Sequence, residues 1–206
     1  MKARPRHVAL ILAAGGSRRL GRPKQLLTRD GETLVHRACR LAMATSPERL
    51  LLVTGAFEEQ VLAAVADMAL EVAHNPDWEQ GLATSLTVAA KRLPDSDQPV
   101  LILGCDQPAL EATHLLALLR AVGDLEHGRR CDHAATRYVD AVGMPALVPA
   151  SELQRVSVSG DTGLRKILNR LDADAISIID AAELALDIDT DDDLRSARER
   201  GVLDPV

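Results

Sequence analysis

The stretch Leu12-Ala13-Ala14-Gly15-Gly16-Ser17-Arg18-Arg19-Leu20-Gly21-Arg22-Pro23-Lys24 joins small residues to four positive charges within seven positions. Small residues let a backbone come close to a phosphate and turn its N–H groups inward. Arg18, Arg19, Arg22 and Lys24 then suit a polyphosphate, in a chain whose formal net charge is -6. The stretch is not a Walker A loop, because Arg22-Pro23 stands where that motif needs Lys-Ser/Thr. No GxGxxG frame fits, which disfavours a dinucleotide-binding oxidoreductase. The competing reading is a solvated basic turn.

A second candidate is Gly104-Cys105-Asp106-Gln107-Pro108, which follows the most apolar run of the chain. A carboxylate at a strand end can hold Mg²⁺ and offset phosphate charge, or simply cap the next helix. In Asn75-Pro76-Asp77-Trp78-Glu79-Gln80-Gly81-Leu82-Ala83-Thr84-Ser85, the polar side chains suit a base edge, a ribose or a phosphate. They suit equally a turn with an N-cap from Thr84 or Ser85. The run Asp187-Ile188-Asp189-Thr190-Asp191-Asp192 offers a second metal ligand or a helix cap, and spacing alone favours the cap. Cys105 has no visible His partner and reads as an inert buried thiol. His7, His36, His74, His114, His127 and His133 show no metal-ligand spacing, and no Gly-x-Ser-x-Gly elbow supports serine hydrolysis.

Short aliphatic runs alternating with amphipathic stretches must position these groups. Strands are expected over 7–12, 50–54, 70–73, 99–103, 133–139, 144–148 and 175–179. Helices are expected over 33–45, 58–67, 82–92, 113–122, 161–171 and 190–200. Continuous rather than alternating apolar strands, most followed by helices, indicate a parallel sheet covered on both faces. Such sheets bind ligands beyond the carboxyl ends of their strands. Those ends are 13–24, 54–55, 74–85, 104–108 and 143–145, which are the stretches that carry the candidate chemistry. With no internal repeat and no long linker, residues 1–206 read as a single domain.

Composition narrows the class of partner. Aromatic residues are 1% of the chain (Phe57, Trp78 and Tyr138), so stacking platforms for single-stranded nucleic acid are missing and the core must be aliphatic. The acidic balance is the wrong sign for general nucleic-acid or membrane-surface binding. Three widely spaced cysteines (Cys39, Cys105, Cys131) suggest reduced thiols and a cytoplasmic address. The apolar run 8–14 is too short for a membrane span, which needs about 20 apolar residues, and reads as a strand rather than a signal peptide.

In this order, LAAGGSRRLGRPKQLL (12–27), LLVTG (51–55), HNPDWEQGLATSL (74–86), GCDQP (104–108), GMP (143–145), GDTGLR (160–165) and DIDTDDDL (187–194) resemble the nucleotidyltransferases of molybdenum-cofactor maturation. The likeness is to the MocA-like family and its cytidylyl-transferring branch. It implies an α/β, Rossmann-like three-layer sandwich with a mostly parallel sheet, of the nucleotide-diphospho-sugar transferase type. It also implies transfer of CMP from CTP to the terminal phosphate of molybdopterin, with release of pyrophosphate. Ala13-Ala14-Gly15 sides with CTP, where guanylyl-transferring relatives look like Leu-Ala-Gly-Gly. The resemblance assigns the triphosphate to Arg18, Arg19 and Lys24 with the backbone of Leu12, Ala13, Ala14, Gly15 and Gly16, and catalytic roles to Lys24, Arg18 and Asp106. It places Thr54, Gly55, Asn75, Gly81 and Ser85 beside the nucleotide or pterin, and Mg²⁺ on Asp106 and Asp189. A client molybdoenzyme of the xanthine-oxidase type is implied in the same way. Two other expectations stand beside this one. The fold could transfer GTP or ATP to another phosphorylated acceptor, or serve as a non-catalytic cofactor chaperone; a chaperone would be expected to lack Lys24 or Asp106.

Overall fold

The computed structural model describes residues 5–124, 130–139, 141–155, 163–172 and 174–205. The start of the expected 161–171 helix, with Gly160, Asp161 and Thr162, lies outside the described residues.

Seven strands form one sheet, in the order β11 (Ile176–Asp180), β9 (His133–Tyr138), β10 (Ala141–Pro149), β6 (Pro99–Gly104), β1 (Val8–Leu12), β4 (Arg49–Thr54) and β5 (Glu71–His74). β1 (Val8–Leu12) is wholly buried at its centre, as its unbroken VALIL sequence requires. It pairs in parallel with β4 (Arg49–Thr54) on one side and β6 (Pro99–Gly104) on the other. β5 (Glu71–His74) extends the β4 side. β10 (Ala141–Pro149) runs antiparallel to both β6 and β9 (His133–Tyr138), and β11 (Ile176–Asp180) closes that edge parallel to β9. The chain therefore builds outward from β1 through β4 and β5, then crosses to β6. Beyond the carboxyl ends of β1 and β6 lies the switch point where open α/β sheets hold ligands.

Both faces of the sheet are covered. Ala9 and Ile11 of β1 point to one face, against Val35, Ala38 and Cys39 of α1 (Leu34–Met43) and Leu115 and Leu118 of α4 (Ala112–Arg120). Val8 and Leu10 point to the other, against Leu86 and Ala89 of α3 (Leu82–Ala90), Leu153 of α5 (Ala150–Arg155) and Ile167 of α6 (Gly163–Leu168). This is the expected three-layer α/β architecture with a mostly parallel sheet. α2 (Glu58–Ala64) and α7 (Asp191–Glu199) complete the α-helices among the described residues. A two-residue-stranded hairpin, β2 (Thr28–Arg29) and β3 (Glu32–Thr33), leads into α1, and a similar pair, β7 (Gly123–Asp124) and β8 (Arg130–Cys131), precedes β9. Among the described residues no helix is long and apolar enough to cross a membrane.

Candidate active site

The loop after β1 is held from beneath by one buried amide. The Gln25 side chain donates to the carbonyls of Ala13 (2.9 Å) and Gly15 (2.6 Å). Those two oxygens are thereby engaged by the protein instead of facing an anion. The Ser17 hydroxyl accepts from the Lys24 backbone N–H at 3.1 Å, while the Ser17 carbonyl accepts from Leu20 and Gly21. Ser17 and Gly21 both adopt positive φ, of 47° and 67°. The result is a tight return that brings Lys24 back to the mouth of β1.

Lys24 is the electrostatic centre of the cleft. Its Nζ donates to Asp106 Oδ2 at 2.7 Å and to Asp189 Oδ1 at 2.9 Å. Burial works against the charged ammonium, but the two carboxylates outweigh it and raise the Lys24 pKa well above its ordinary value. Lys24 is therefore a fixed cation at neutral pH. Asp106 follows the end of β6. The turn after it is braced by Arg29, which donates to the Pro108 carbonyl at 2.6 Å, and by Arg37, which donates to the Leu110 carbonyl at 2.8 Å.

Asp189 arrives from far along the chain. The Ile188 N–H donates to the Asp106 carbonyl at 3.0 Å, docking the 187–189 segment against the end of β6. The acidic run divides between two settings. Thr190 and Asp193 form a capping box on α7, whereas Asp189 turns to Lys24 and to Arg19, 2.5 Å from the guanidinium. Asp187, which the sequence placed only in a cap-or-metal run, also belongs to this cluster. It keeps solvent contact, yet the protein crowded around its carboxyl, and next the Asp106 charge, push its pKa up to about 7 against a Gln107 hydrogen bond and Lys24.

That shift has a sign. The Asp187 pKa in the folded chain lies above its ordinary 3.8, so the stability linked to its proton is complete below that value and lost as pH rises through about 7. Solvent contact limits the effect to about 1 kcal/mol. Asp187→Asn is expected to raise the melting temperature by about 2–4 °C at pH 8, and to leave it unchanged at pH 4. An equal rise at both pH values in a calorimetric scan would contradict this account.

Trp78 forms the third wall. A Cβ on Gly16 would overlap its ring, and a Cβ on Gly55 would lie 2.8 Å from the Trp78 Cβ and 2.9 Å from the Ala14 Cβ. These glycines are small to admit Trp78. Gly15 differs: nothing lies within 4 Å of where its Cβ would be, so its missing side chain opens onto the cleft. The Arg18 guanidinium sits 5.6 Å from the Trp78 ring centroid and 2.9 Å from Glu79. The indole divides a polar compartment, with Gly15, Gly16, Arg18, Arg19, Lys24 and Asp189, from a less polar one, with Leu12, Ala14, Leu82, Ser85, Asp106 and Met144. Gly15 and Lys24 border both, and Gly81 borders the second.

The other sequence candidates lie behind this lining. Asn75 is fully buried, with its amide donating to the Thr84 and Ser85 hydroxyls, each at 2.9 Å, and its oxygen accepting from the Asp77 N–H at 3.0 Å. It shapes the 75–85 segment from within. The Thr54 hydroxyl donates to Glu58 at 2.5 Å. Gly55 packs under Trp78, and the Ala13 N–H belongs to the Val53 carbonyl at 2.9 Å. The Cys105 thiol is buried against the Leu12 carbonyl, and burial, then the Asp106 charge, raises its pKa, in keeping with an inert thiol. Gln25, Trp78, Asp187 and Met144 are site residues that sequence reasoning did not single out. For Trp78 a signal existed, since it is the single tryptophan of an aromatic-poor chain.

Residues 9–175 match the family model of the MobA-like NTP transferase domain. The chain is 32% identical over 195 residues to the molybdenum cofactor cytidylyltransferase of Escherichia coli K12, covering 93% of this chain and 95% of that one. Its fold is similar to a structure of Rv0371c from Mycobacterium tuberculosis H37Rv in complex with manganese, with TM-score 0.73, 27% identity and coverage of 94% and 98% of the two chains. A nucleotidyl transferase from Methanothermobacter shares the fold at TM-score 0.78 and 20% identity, covering 96% and 98%.

Proposed function

The chain belongs to the MobA-like NTP transferase family, and from that premise we propose that residues 1–206 act as one domain that transfers CMP from CTP to the terminal phosphate of molybdopterin. The observation that carries the reading is Lys24, held charged between Asp106 and Asp189 where the loop after β1 meets the end of β6. A terminal phosphate oxygen of the pterin would attack the α-phosphorus of CTP. One P–O bond forms, the α–β bridge breaks, and pyrophosphate carries away the electron pair. No covalent enzyme intermediate is needed; positioning and charge neutralisation suffice. Ala14, which lines the less polar compartment near Ser85, and the relative that transfers cytidylyl groups both support CTP. The product would suit a client molybdoenzyme of the xanthine-oxidase type.

The donor set fits a hard divalent cation. Asp106 and Asp189 present carboxylate oxygens to one shared point, now taken by an ammonium. Among the described residues no group of three or more His, Cys, Asp or Glu could cage a metal alone. That pattern fits Mg²⁺, which takes one or two carboxylates and completes its shell with phosphates and water. When bound, the ion would neutralise charge on the triphosphate and the leaving pyrophosphate. Arg18 and Arg19 would bind the β- and γ-phosphates, while Lys24 would meet the charge that grows at the α-phosphate.

Gly15 gives a separate handle. Because its Cβ position is open, Gly15→Ala is expected to leave the melting temperature within about 1 °C yet weaken CTP at least tenfold, by putting a methyl group where the nucleotide approaches. Unchanged CTP affinity would remove Gly15 from the nucleotide site. The reading as a whole is tested by pyrophosphate release with Mg²⁺ and molybdopterin, comparing CTP, GTP and ATP. Release with CTP alone is expected. A preference for GTP or ATP would keep the reaction and change the base, and silence with all three in folded protein would favour the chaperone.

A further inference from the structure

Each cation that faces the cleft already has a carboxylate partner. Arg18 is paired with Glu79, Arg19 with Asp189, and Lys24 with both Asp106 and Asp189. Three positive side chains are thus matched by Glu79, Asp106 and Asp189, with Asp187 beside them, and the phosphate loop offers an incoming anion little net field. We propose that Asp189 is a specificity-determining residue that makes this loop take a triphosphate complexed with a divalent cation and turn away the uncomplexed anion.

The inference rests on the nucleotidyl-transfer reading, and its logic is an exchange of partners. A bare polyanion can engage Arg18, Arg19 and Lys24 only by leaving Glu79, Asp106 and Asp189 without counter-charges, close to the new negative charge. A metal–triphosphate complex keeps Asp106 and Asp189 paired, because the phosphates take the cations and the metal takes those two carboxylates; Glu79 alone loses its partner in either case. Glu79 lies at the exposed rim, where losing its partner costs less than it does for Asp189. By linkage, metal and triphosphate must then strengthen each other's binding by the same factor. A ligand-only role for Asp189 predicts something different: removing it would weaken binding with metal and change nothing without it.

Inorganic tripolyphosphate is the probe of choice, since it carries neither base nor acceptor. Binding to the full chain can be followed by calorimetry and by fluorescence of Trp78, the single tryptophan, which carries Arg18 against its ring. Wild type is expected to bind at least about tenfold more tightly in Mg²⁺ than in EDTA. In EDTA, Asp189→Asn should bind about three- to tenfold more tightly than wild type and lose most of the Mg²⁺ gain, whereas Glu79→Gln should tighten binding about threefold in EDTA and Mg²⁺ alike. Glu71→Gln removes the same charge at the far end of the sheet, where Glu71 pairs with Arg49, and should match wild type throughout. Equal wild-type affinity in Mg²⁺ and EDTA, or an Asp189→Asn chain no tighter than wild type in EDTA, would overturn the inference and leave the nucleotidyl-transfer reading intact. Failure of folded wild type to bind either tripolyphosphate or CTP in any condition would overturn both.

Discussion

Asp106→Ala is expected to lower nucleotidyl transfer at least about a thousandfold while leaving a cooperative melting transition. Loss of a metal held against a transferring phosphate costs several kcal/mol of barrier, and each 1.4 kcal/mol or so is tenfold in rate. The fold should survive because Asp106 lies past the end of β6, with its side chain 24% exposed, and its backbone carbonyl would still accept from Ile188. Lys24 would also keep Asp189 as a partner. Asp106→Asn, which keeps the shape and removes the charge, should fail nearly as completely. Turnover within tenfold of wild type in either variant would take Asp106 out of the metal role.

Lys24→Ala is expected to reduce kcat by about 10²–10³, the range for removing one preorganised group that faces developing charge. CTP affinity should fall less than tenfold, since Arg18 and Arg19 remain on the phosphates. The split matters: a change confined to KM would mean that Lys24 binds ground state and transition state alike. The substitution also leaves Asp106 and Asp189 facing one another. Their side chains are 24% and 37% exposed, so solvent screens them and the stability loss should stay near 1–2 kcal/mol. Added Mg²⁺ should restore part of that loss, because the carboxylates regain a cation. A thermal scan with and without Mg²⁺ would read it.

The central sheet was legible because its strands are unbroken aliphatic runs. Val8–Leu12 and Pro99–Gly104 allow little other reading once flanking helices must cover both faces. β10 was harder. Pro145 lacks an N–H, which argued for a short strand, yet the structure runs it over nine residues and accommodates Pro145 where the pairing with β9 slips between Gly143 and Ala146. The hairpin over 28–33 escaped for a different reason. Asp30-Gly31 takes positive φ at both positions, as a tight hairpin turn needs. Its strands, however, have two residues each, too few for alternation to show. α5, at six residues, falls below the length at which helical periodicity can be read.

The cleft was legible in composition and not in assignment. A basic loop after one strand and a carboxylate after another could be read from the chain, because strand ends share one edge of such a sheet. Spacing alone could not tell which acid faces the cleft; only the resemblance singled out Asp189. Asp187, Asp189, Asp191, Asp192 and Asp193 look alike in sequence, and only the docking of Ile188 on Asp106 separates the residue at the cation from those that cap α7. Asn75 shows how burial adds what residue type cannot give. Its polar side chain suits a ligand, but burial leaves it bonded wholly to its own loop. Gly16 lines the polar compartment with its backbone while its missing side chain makes room for Trp78, and Gly15 is the position whose side-chain space is open.

One labelling experiment tests the account most directly. The full chain is incubated with Mg²⁺, molybdopterin and CTP carrying ³²P at either the α- or the γ-phosphate, and the pterin product is separated from pyrophosphate. Label from the α-position is expected in the pterin, and label from the γ-position in pyrophosphate. Label passing from the γ-position to the pterin would make the protein a phosphoryl transferase, and label in neither product, with folded protein and bound CTP, would contradict nucleotidyl transfer to this acceptor.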